Sequence, residues 1–325
     1  MSDNIPVNQH YVPQFLLRNF AANKKEQVHV FDKLKENKFL TSVRNIAAEN
    51  SFYNFDIDGN TESIEEILSQ IEADSTQVIE KIKKNKSLAN ISREEKVTLA
   101  NFIHVQKMRV KNFKEELFHM GERFSQELQK RGIDPDNVQN FHPMDENEVT
   151  KMMNRVILSG ADFLHNYLNK AWLLLEAPAK NPFYISDNPI SMQNHRYMGL
   201  KGNIGLAVPG IEIYFPISNE LTLALLCKSH EKNFREAKRM NEQLEKSHPE
   251  LLESIDEEFV KDEYVESIDK GTPFECRPLI IKNLNSLQVI YAERFIFSSK
   301  RNFSLAEEMI EETDDLRQGP RSQMG

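Results

Sequence analysis

The chain has 325 residues, of which 39% are hydrophobic and 28% charged, and such a chain can bury a sizeable core. Its formal net charge of -9 disfavours a protein that coats nucleic acid nonspecifically, because phosphate neutralisation needs Lys and Arg gathered on one face. No apolar run approaches the roughly 20 residues of a membrane-spanning helix, and the first residues lack the basic and then apolar stretches of a secretory signal. We therefore expect a cytoplasmic protein without a membrane contact.

The N-terminal segment, residues 8–20, reads NQHYVPQFLLRNF and is apolar where chain ends are usually polar. Its proline predicts an extended entry that turns into a short helix. We expect this segment to be anchored in the core by Phe15, Leu16 and Phe20. Residues 26–33 and 38–43 then read as two strands of a hairpin, with a polar turn between them.

Helical spacing dominates the middle of the chain. Apolar residues recur at three- and four-residue intervals from Ile64 to Ile82, which predicts an amphipathic helix. The capping box SREE at 92–95 predicts the start of a second long helix, continuing through Leu117. After a break with two prolines, helical spacing resumes near 145 and carries on to Leu175.

Strand patterns return in the second half. Residues 183–185 form a short strand that runs into the turn SDNP, and 210–217 and 221–227 look like an antiparallel pair. The charged segment 229–266 is predicted to be a surface helix, and 278–300 an amphipathic helix followed by a last strand. Helices and strands in separate groups indicate an α+β fold.

Standard catalytic motifs are missing from the sequence, including the phosphate-binding, dinucleotide, zinc-protease and serine-hydrolase patterns. Cys227 and Cys276 have no cysteine or histidine neighbours at zinc spacing and are interpreted as free thiols. The basic stretches 81–86 and 106–114 are either a nucleic-acid contact or solvated helix faces.

Two polar spots lie within apolar sequence. Asp187 and Asn188 follow a strand directly, so they either fix the turn through bonds to nearby backbone amides or contact a metal or substrate. His10 precedes the anchoring residues of the N-terminal segment. It is either a hydrogen-bonded packing residue or, at a pKa near neutral, a general base or metal ligand.

Charged residues on the two helices form a third group. The glutamates near the start of the first helix are Glu62, Glu65, Glu66 and Glu72. Glu65 and Glu72 lie close to one face, so one of them could point inward to a basic partner on the neighbouring helix, which carries Gln106, Arg109 and Lys111. The plainer interpretation is that acidic residues at a helix start favour the helix dipole.

A metal-dependent nuclease would place an Asp before a strand that bears Glu-x-Lys. Asp187 and Glu212 supply the Asp and the strand Glu, but Tyr214 stands where the Lys should be. The match is therefore weak.

Five segments give the chain a resemblance to the bacterial domain-of-unknown-function family 4238 (DUF4238). They read HYVPQFLLRNF, IAAENSFY, FIHVQKMR, WLLLEAP with PFYISDNPI, and LNSLQVIYAERFIFSS. The resemblance implies one full-length domain over residues 1–312, with a helical middle (61–177), a mixed second half (178–300) and a disordered tail (313–325). The DUF4238 family carries no assigned activity, so the resemblance implies none for this chain. The family's polar positions correspond to His10, Pro13, Gln106, Arg109, Asp187, Asn188 and Pro189.

Two hypotheses follow. The first is a hydrolase-like enzyme acting on a phosphodiester or nucleotide, in which His10 is the base, Asp187 and Asn188 supply polar groups, and Arg109 binds an anion. Gln106 and Tyr11 would then be binding residues, and the need for a divalent metal is left open. The second hypothesis is a noncatalytic binding or regulatory module whose polar motifs are structural, with the acidic segment 229–266 as a partner surface.

Overall fold

The structure is a computed structural model that describes residues 6–138, 145–194, 196, 204–247 and 262–321. These residues form ten helices and thirteen strands, which confirms the α+β class. The helices are α1 (Gln14–Arg18), α2 (Glu65–Asn85), α3 (Arg93–Met108), α4 (Lys111–Lys130), α5 (Glu146–Leu158), α6 (Gly160–Leu168), α7 (Lys228–Ser247), α8 (Asp262–Lys270), α9 (Pro278–Tyr291) and α10 (Ser304–Glu312). The strands are β1 (Asn8–His10), β2 (Gln27–Asp32), β3 (Asn37–Ser42), β4 (Ala48–Asn50), β5 (Phe55–Ile57), β6 (Asn60–Glu62), β7 (Ala171–Glu176), β8 (Ile185–Ser186), β9 (Ser191–Gln193), β10 (Glu212–Pro216), β11 (Leu221–Leu226), β12 (Phe274–Glu275) and β13 (Phe295–Ser298).

An antiparallel four-stranded sheet, in the order β3-β2-β13-β8, joins the two ends of the chain. The predicted hairpin is confirmed as β2 and β3, in which Val30 pairs with Phe39. The predicted last strand is confirmed as β13, and it separates this hairpin from the short strand β8. Two small antiparallel pairs, β1 with β4 and β5 with β6, complete the N-terminal third.

A five-stranded sheet in the order β12-β7-β11-β10-β9 lies in the second half, and only the β12–β7 pair is parallel. The predicted antiparallel pair is confirmed as β10 and β11. Both faces of β7 are buried, with Trp172 and Leu174 in the main core and Leu173 and Leu175 in a second core. The helix predicted to continue through Leu175 is wrong here, because a strand that is buried on both faces shows no alternation by which to recognise it.

The two predicted long helices are confirmed as α2 and α3, and the capping box at the start of α3 is complete. Ser92 accepts a bond from the Glu95 amide at 3.2 Å, and the Glu95 carboxylate accepts one from the Ser92 amide at 2.7 Å. The continuous helix predicted through Leu117 is wrong, since the backbone is extended at Val110 and α4 begins at the next residue.

The N-terminal segment is anchored in the core as predicted. Leu16 and Phe20 are fully buried, and Phe15 packs against Phe102 with ring centroids 5.6 Å apart. Two residues of the second basic stretch, Gln106 and Arg109, are buried rather than part of an exposed patch.

Residues 314–321 lie in the segment predicted to be a disordered tail. There Asp314–Arg317 form a turn of 3₁₀ helix, and Arg321 pairs with Glu293 at 2.6 Å. No helix in the described part of the chain is both long enough and apolar enough to cross a membrane.

Candidate functional site

The side chain of Arg109 lies at the junction of α3 and α4, where it is completely buried. Its Nη2 donates to the His10 carbonyl at 2.6 Å, its Nη1 to Glu72 Oε1 at 2.6 Å, and its Nε to the Tyr53 hydroxyl at 3.0 Å. The pair with Glu72 is the inward contact that was left open beside the plainer helix-dipole interpretation. These three bonds join the end of α3 to β1, α2 and the loop after β4.

Strand β1 is held by further side chains around this junction. Gln106 Nε2 donates to the Tyr11 carbonyl at 2.9 Å, and the Tyr53 hydroxyl lies 3.2 Å from the His10 carbonyl. Gln9 Oε1 accepts from the Tyr53 amide at 2.7 Å. The backbone of the N-terminal segment is therefore fixed by polar contacts to α3 and to the loop after β4.

Asp187 fixes a second junction, between α9 and β13. Its Oδ1 accepts from the Glu293 amide at 2.7 Å, and its Oδ2 accepts from the amides of Arg294 and Phe295, each at 2.8 Å. Asn188 Nδ2 donates to the Tyr291 carbonyl at 3.0 Å. Both side chains thus bond to backbone about a hundred residues away and do not use the nearby amides of their own turn.

Burial of Asp187 raises the pKa of its carboxyl, while the backbone amides of Phe295 and Arg294 and the Lys33 ammonium act in the opposite direction. Lys33 is also fully buried and donates to the carbonyls of Val289 and Ala292 at 2.8 and 2.7 Å. The buried carboxyl of Asp187 and the buried ammonium of Lys33 are therefore each held by hydrogen bonds to backbone groups, which offset the cost of removing charge from water.

The structure brings His10 together with Arg109, and it places Asp187 with Tyr11. Tyr11 and Asp187 line a cavity of about 300 Å³, together with Lys111 and Arg294. His10 lines a different cavity, of about 410 Å³, which Asp187 does not line. The expected convergence of His10, Asp187 and Arg109 in one cleft is therefore not found, because Asp187 lines a different cavity and Arg109 contacts the backbone carbonyl of His10, not its imidazole.

We call the second cavity the His10 cleft. It lies between β1 and α1 on one side and α2 on the other, and its polar lining consists of His10, Gln14, Arg18, Glu65, Ser69, Glu72 and Thr76. Two buried atoms in it, His10 Nε2 and Glu65 Oε2, have no hydrogen-bond partner within the described residues. Buried polar atoms without partners are rare in proteins and are a frequent feature of functional sites.

The pKa values of these two groups move in opposite directions from their usual values. Burial lowers the pKa of the His10 imidazole, against the opposing effects of the Val43 backbone and Glu72. Burial raises the pKa of the Glu65 carboxyl, against the opposing effect of Arg109. Burial thus favours a neutral imidazole, which can accept a proton, and a protonated carboxyl, which can donate one.

The weak nuclease pattern is not assembled around Asp187. Glu212 lies on β10 and lines a third cavity, and Tyr214 donates its hydroxyl to Glu212 at 2.9 Å. Within the described ranges, no three His, Cys, Asp or Glu side chains are grouped so as to hold a metal ion.

A family model described as protein of unknown function (DUF4238) matches residues 8–302. The chain belongs to the DUF4238 family. No curated protein and no solved structure matches it. The DUF4238 match includes both polar junctions and the His10 cleft.

The resemblance to DUF4238 did not indicate the role of Glu65 in this cleft. Its position seven residues before Glu72 placed both glutamates near one helix face, and Glu72 proved to be the one paired with Arg109. No local spacing connects Glu65 with His10, because they come together only when β1 packs beside α2. The sequence pattern that could have indicated Glu65 is its place, with Glu72, on the face of α2 that also carries the buried Leu68.

Proposed function

We propose that this DUF4238 protein is a hydrolase-like enzyme whose active site is the His10 cleft. The proposal rests on one observation, that His10 Nε2 and Glu65 Oε2 are buried in the same cavity without hydrogen-bond partners among the described residues. Burial favours the neutral imidazole of His10 and the protonated carboxyl of Glu65, and these are the forms in which the first group can take a proton and the second can give one.

In this proposal water attacks the substrate while His10 Nε2 takes its proton, and protonated Glu65 gives a proton to the leaving group. The Arg109 guanidinium offsets the charge of Glu72, at 2.6 Å, and holds the His10 carbonyl. Arg109 therefore acts as a positioning residue. Arg18 is the basic side chain that lines the cleft and pairs with Glu26 at 3.0 Å, so a phosphodiester or nucleotide, the substrate class we propose, would compete with Glu26 for it.

The other residues of the family motifs take structural roles in this proposal. Both oxygens of Asp187 and the amide group of Asn188 are used in bonds to backbone. Gln106 holds the Tyr11 carbonyl. These bonds also favour a second candidate function, a noncatalytic binding or regulatory module, because they leave the motif residues with a role that requires no reaction.

The decisive experiment is a hydrolysis assay between pH 5 and 9 with and without Mg²⁺ or Mn²⁺. The substrates are bis(p-nitrophenyl) phosphate, p-nitrophenyl acetate, and linear and cyclic nucleotides. We expect turnover of a phosphodiester or nucleotide, and a loss of about 100-fold or more in His10→Gln and in Glu65→Gln. Glu66→Gln is the matched control, since Glu66 is exposed on the same helix and does not line the cleft.

An active wild type and Glu66→Gln variant, with both cleft variants inactive but folded, would support the enzyme. Absence of turnover on every substrate would favour the binding module, and equal activity in all four proteins would show that the His10 cleft is not the active site. A fold check by circular dichroism accompanies each variant.

A further inference from the structure

The face of the five-stranded sheet that carries the second core is incompletely filled. A cavity of about 510 Å³ lies between this face and α7, α8 and α9, and we call it the sheet-face cavity. It is larger than the His10 cleft. Native cores leave few voids larger than a water molecule, whereas a cavity of this size is in the range of small-molecule binding sites.

The walls of the sheet-face cavity are mainly apolar. Aliphatic side chains of β7, β11 and α9 form one part of the lining, namely Leu173, Leu175, Ala224, Leu226, Ile280 and Leu284. The rings of Phe234 from α7 and Tyr264 from α8 form another part and stack with centroids 5.1 Å apart. Tyr264 also stacks on Phe274 at 4.1 Å. Both faces of the Tyr264 ring are therefore covered, and the ring is a fixed wall.

The polar side chains of β9 and β10 that line the cavity are bonded to one another. Glu212 Oε2 accepts from Gln193 Nε2 at 2.6 Å and from the Tyr214 hydroxyl at 2.9 Å. Its Oε1 lies 3.3 Å from His230 Nε2. The carboxylate thus already has partners within the protein, and a charged ligand that left water for this cavity would not be compensated by it.

The cavity opens to solvent along the first turns of α9. Leu279 lines the cavity and is 64% exposed, and Asn283, one turn further along the helix, is exposed as well. Leu173 and Leu226, at the sheet, are buried. An apolar molecule therefore has a path from solvent to the buried leucines.

We propose that the sheet-face cavity binds a small uncharged apolar molecule, with its body against the aliphatic side chains of β7, β11 and α9. Binding is driven by the removal of apolar surface from water. A sheet on one side and three helices around it limit the occupant to a small molecule and leave no place for a protein segment. This site is separate from the His10 cleft and does not depend on the hydrolase proposal.

The test is fluorescence titration of the full chain with N-phenyl-1-naphthylamine, an uncharged dye whose emission rises in apolar surroundings. The matched probe is 1-anilinonaphthalene-8-sulfonate, which has the same rings and carries a sulfonate. We expect the uncharged dye to bind at least about tenfold more tightly than the sulfonate, because the sulfonate would lose its hydration in a cavity whose carboxylate already has its partners.

Two variants establish where the dye binds. Ala224 is fully buried on β11, so Ala224→Leu fills the space that the dye occupies and should abolish binding. Leu279→Asp places a charge at the opening and should weaken binding about tenfold. The second variant keeps the fold, because its site is exposed and an acidic residue in the first turn of a helix is favourable. Ile67→Asp is the matched control, since Ile67 is 47% exposed in the first turn of α2 and does not line the cavity.

Circular dichroism checks the fold of each variant. Binding of the uncharged dye that is lost or weakened in folded Ala224→Leu and Leu279→Asp, and unchanged in Ile67→Asp, supports the proposal. The proposal is overturned if the uncharged dye does not bind, if the sulfonate binds equally well, or if Leu279→Asp or a folded Ala224→Leu variant binds the dye as the wild type does. Equal weakening in Ile67→Asp and Leu279→Asp overturns it too, because the dye would then bind outside the cavity.

Discussion

Replacing Arg109 by Met is the sharpest test of the junction between α3 and α4. The substitution keeps an apolar side chain of moderate length in a fully buried position. It removes three hydrogen bonds at once, to Glu72, to Tyr53 and to the His10 carbonyl. Glu72, the Tyr53 hydroxyl and the His10 carbonyl each then lose a hydrogen-bond donor at a place that water hardly reaches.

The expected cost follows from what each partner loses. Removing one member of a buried ion pair costs about 3–5 kcal/mol, because the other charge is left without compensation. The Glu72 side chain is 25% exposed, so water offsets part of that loss. The His10 carbonyl loses one of its two donors and keeps the Tyr53 hydroxyl at 3.2 Å, so its loss adds little. We expect Arg109→Met to lower the free energy of unfolding by about 3 kcal/mol or slightly more.

Urea unfolding at pH 7, followed by circular dichroism, measures this change. Arg235→Met is the matched control: Arg235 also makes two ion pairs, to Glu231 and Asp269, but its side chain is 37% exposed. Surface pairs contribute less than about 1 kcal/mol. In a Glu72→Gln background Arg109→Met should cost clearly less than in the wild type, since one lost partner is already gone. Equal losses in the Arg109 and Arg235 variants would refute the reasoning.

Three other predictions concern separate parts of the molecule. Burial lowers the pKa of His10 in the folded state, so below about pH 6.5 the unfolded chain binds more protons and the free energy of unfolding falls. His10→Gln should lessen this fall between about pH 7.5 and 5.5, as measured by urea unfolding. An unchanged dependence of the free energy of unfolding on pH would contradict this prediction. Asp187→Ala leaves three backbone amides unpaired and removes a negative charge near Lys33. We therefore expect the free energy of unfolding at pH 7 to fall by about 3 kcal/mol, and a fall of less than about 1 kcal/mol would contradict this role of Asp187. Ser92→Ala removes the cap of α3 and should cost about 1 kcal/mol, while Ser92→Asp keeps an acceptor at the cap and should cost little.

Local signals in the sequence predicted what depends on local structure. The capping box at Ser92 marks the start of α3, and apolar spacing identifies α2, because both follow from interactions within one helix. The end of α3 was misplaced because apolar residues recur at helical spacing through Leu117 and no glycine or proline marks the break. Arg109 is held by a strand and a helix that lie far away in the sequence, and no local pattern encodes that contact.

The candidate site was predictable in its members more than in their pairing. His10 and Arg109 stood out by residue type, and the spacing of Glu65 and Glu72 indicated an inward carboxylate. Asp187 was expected beside His10, whereas it holds the backbone that leads into β13. A carboxylate that follows a strand can stabilise a turn, bind a ligand or accept hydrogen bonds from backbone amides far away in the sequence. Which of these occurs depends on how the strand ends pack.

The position of β13 between β2 and β8 has a consequence for how the chain is made in the cell. Arg294 pairs with Asp32 across 262 positions of sequence, so the central strand of that sheet is synthesised only after almost all of the chain. Until then, β2 presents an unpaired edge that can join with other chains. The sheet can therefore be completed only once β13 has been made, and fragments that stop before β13 should aggregate rather than fold.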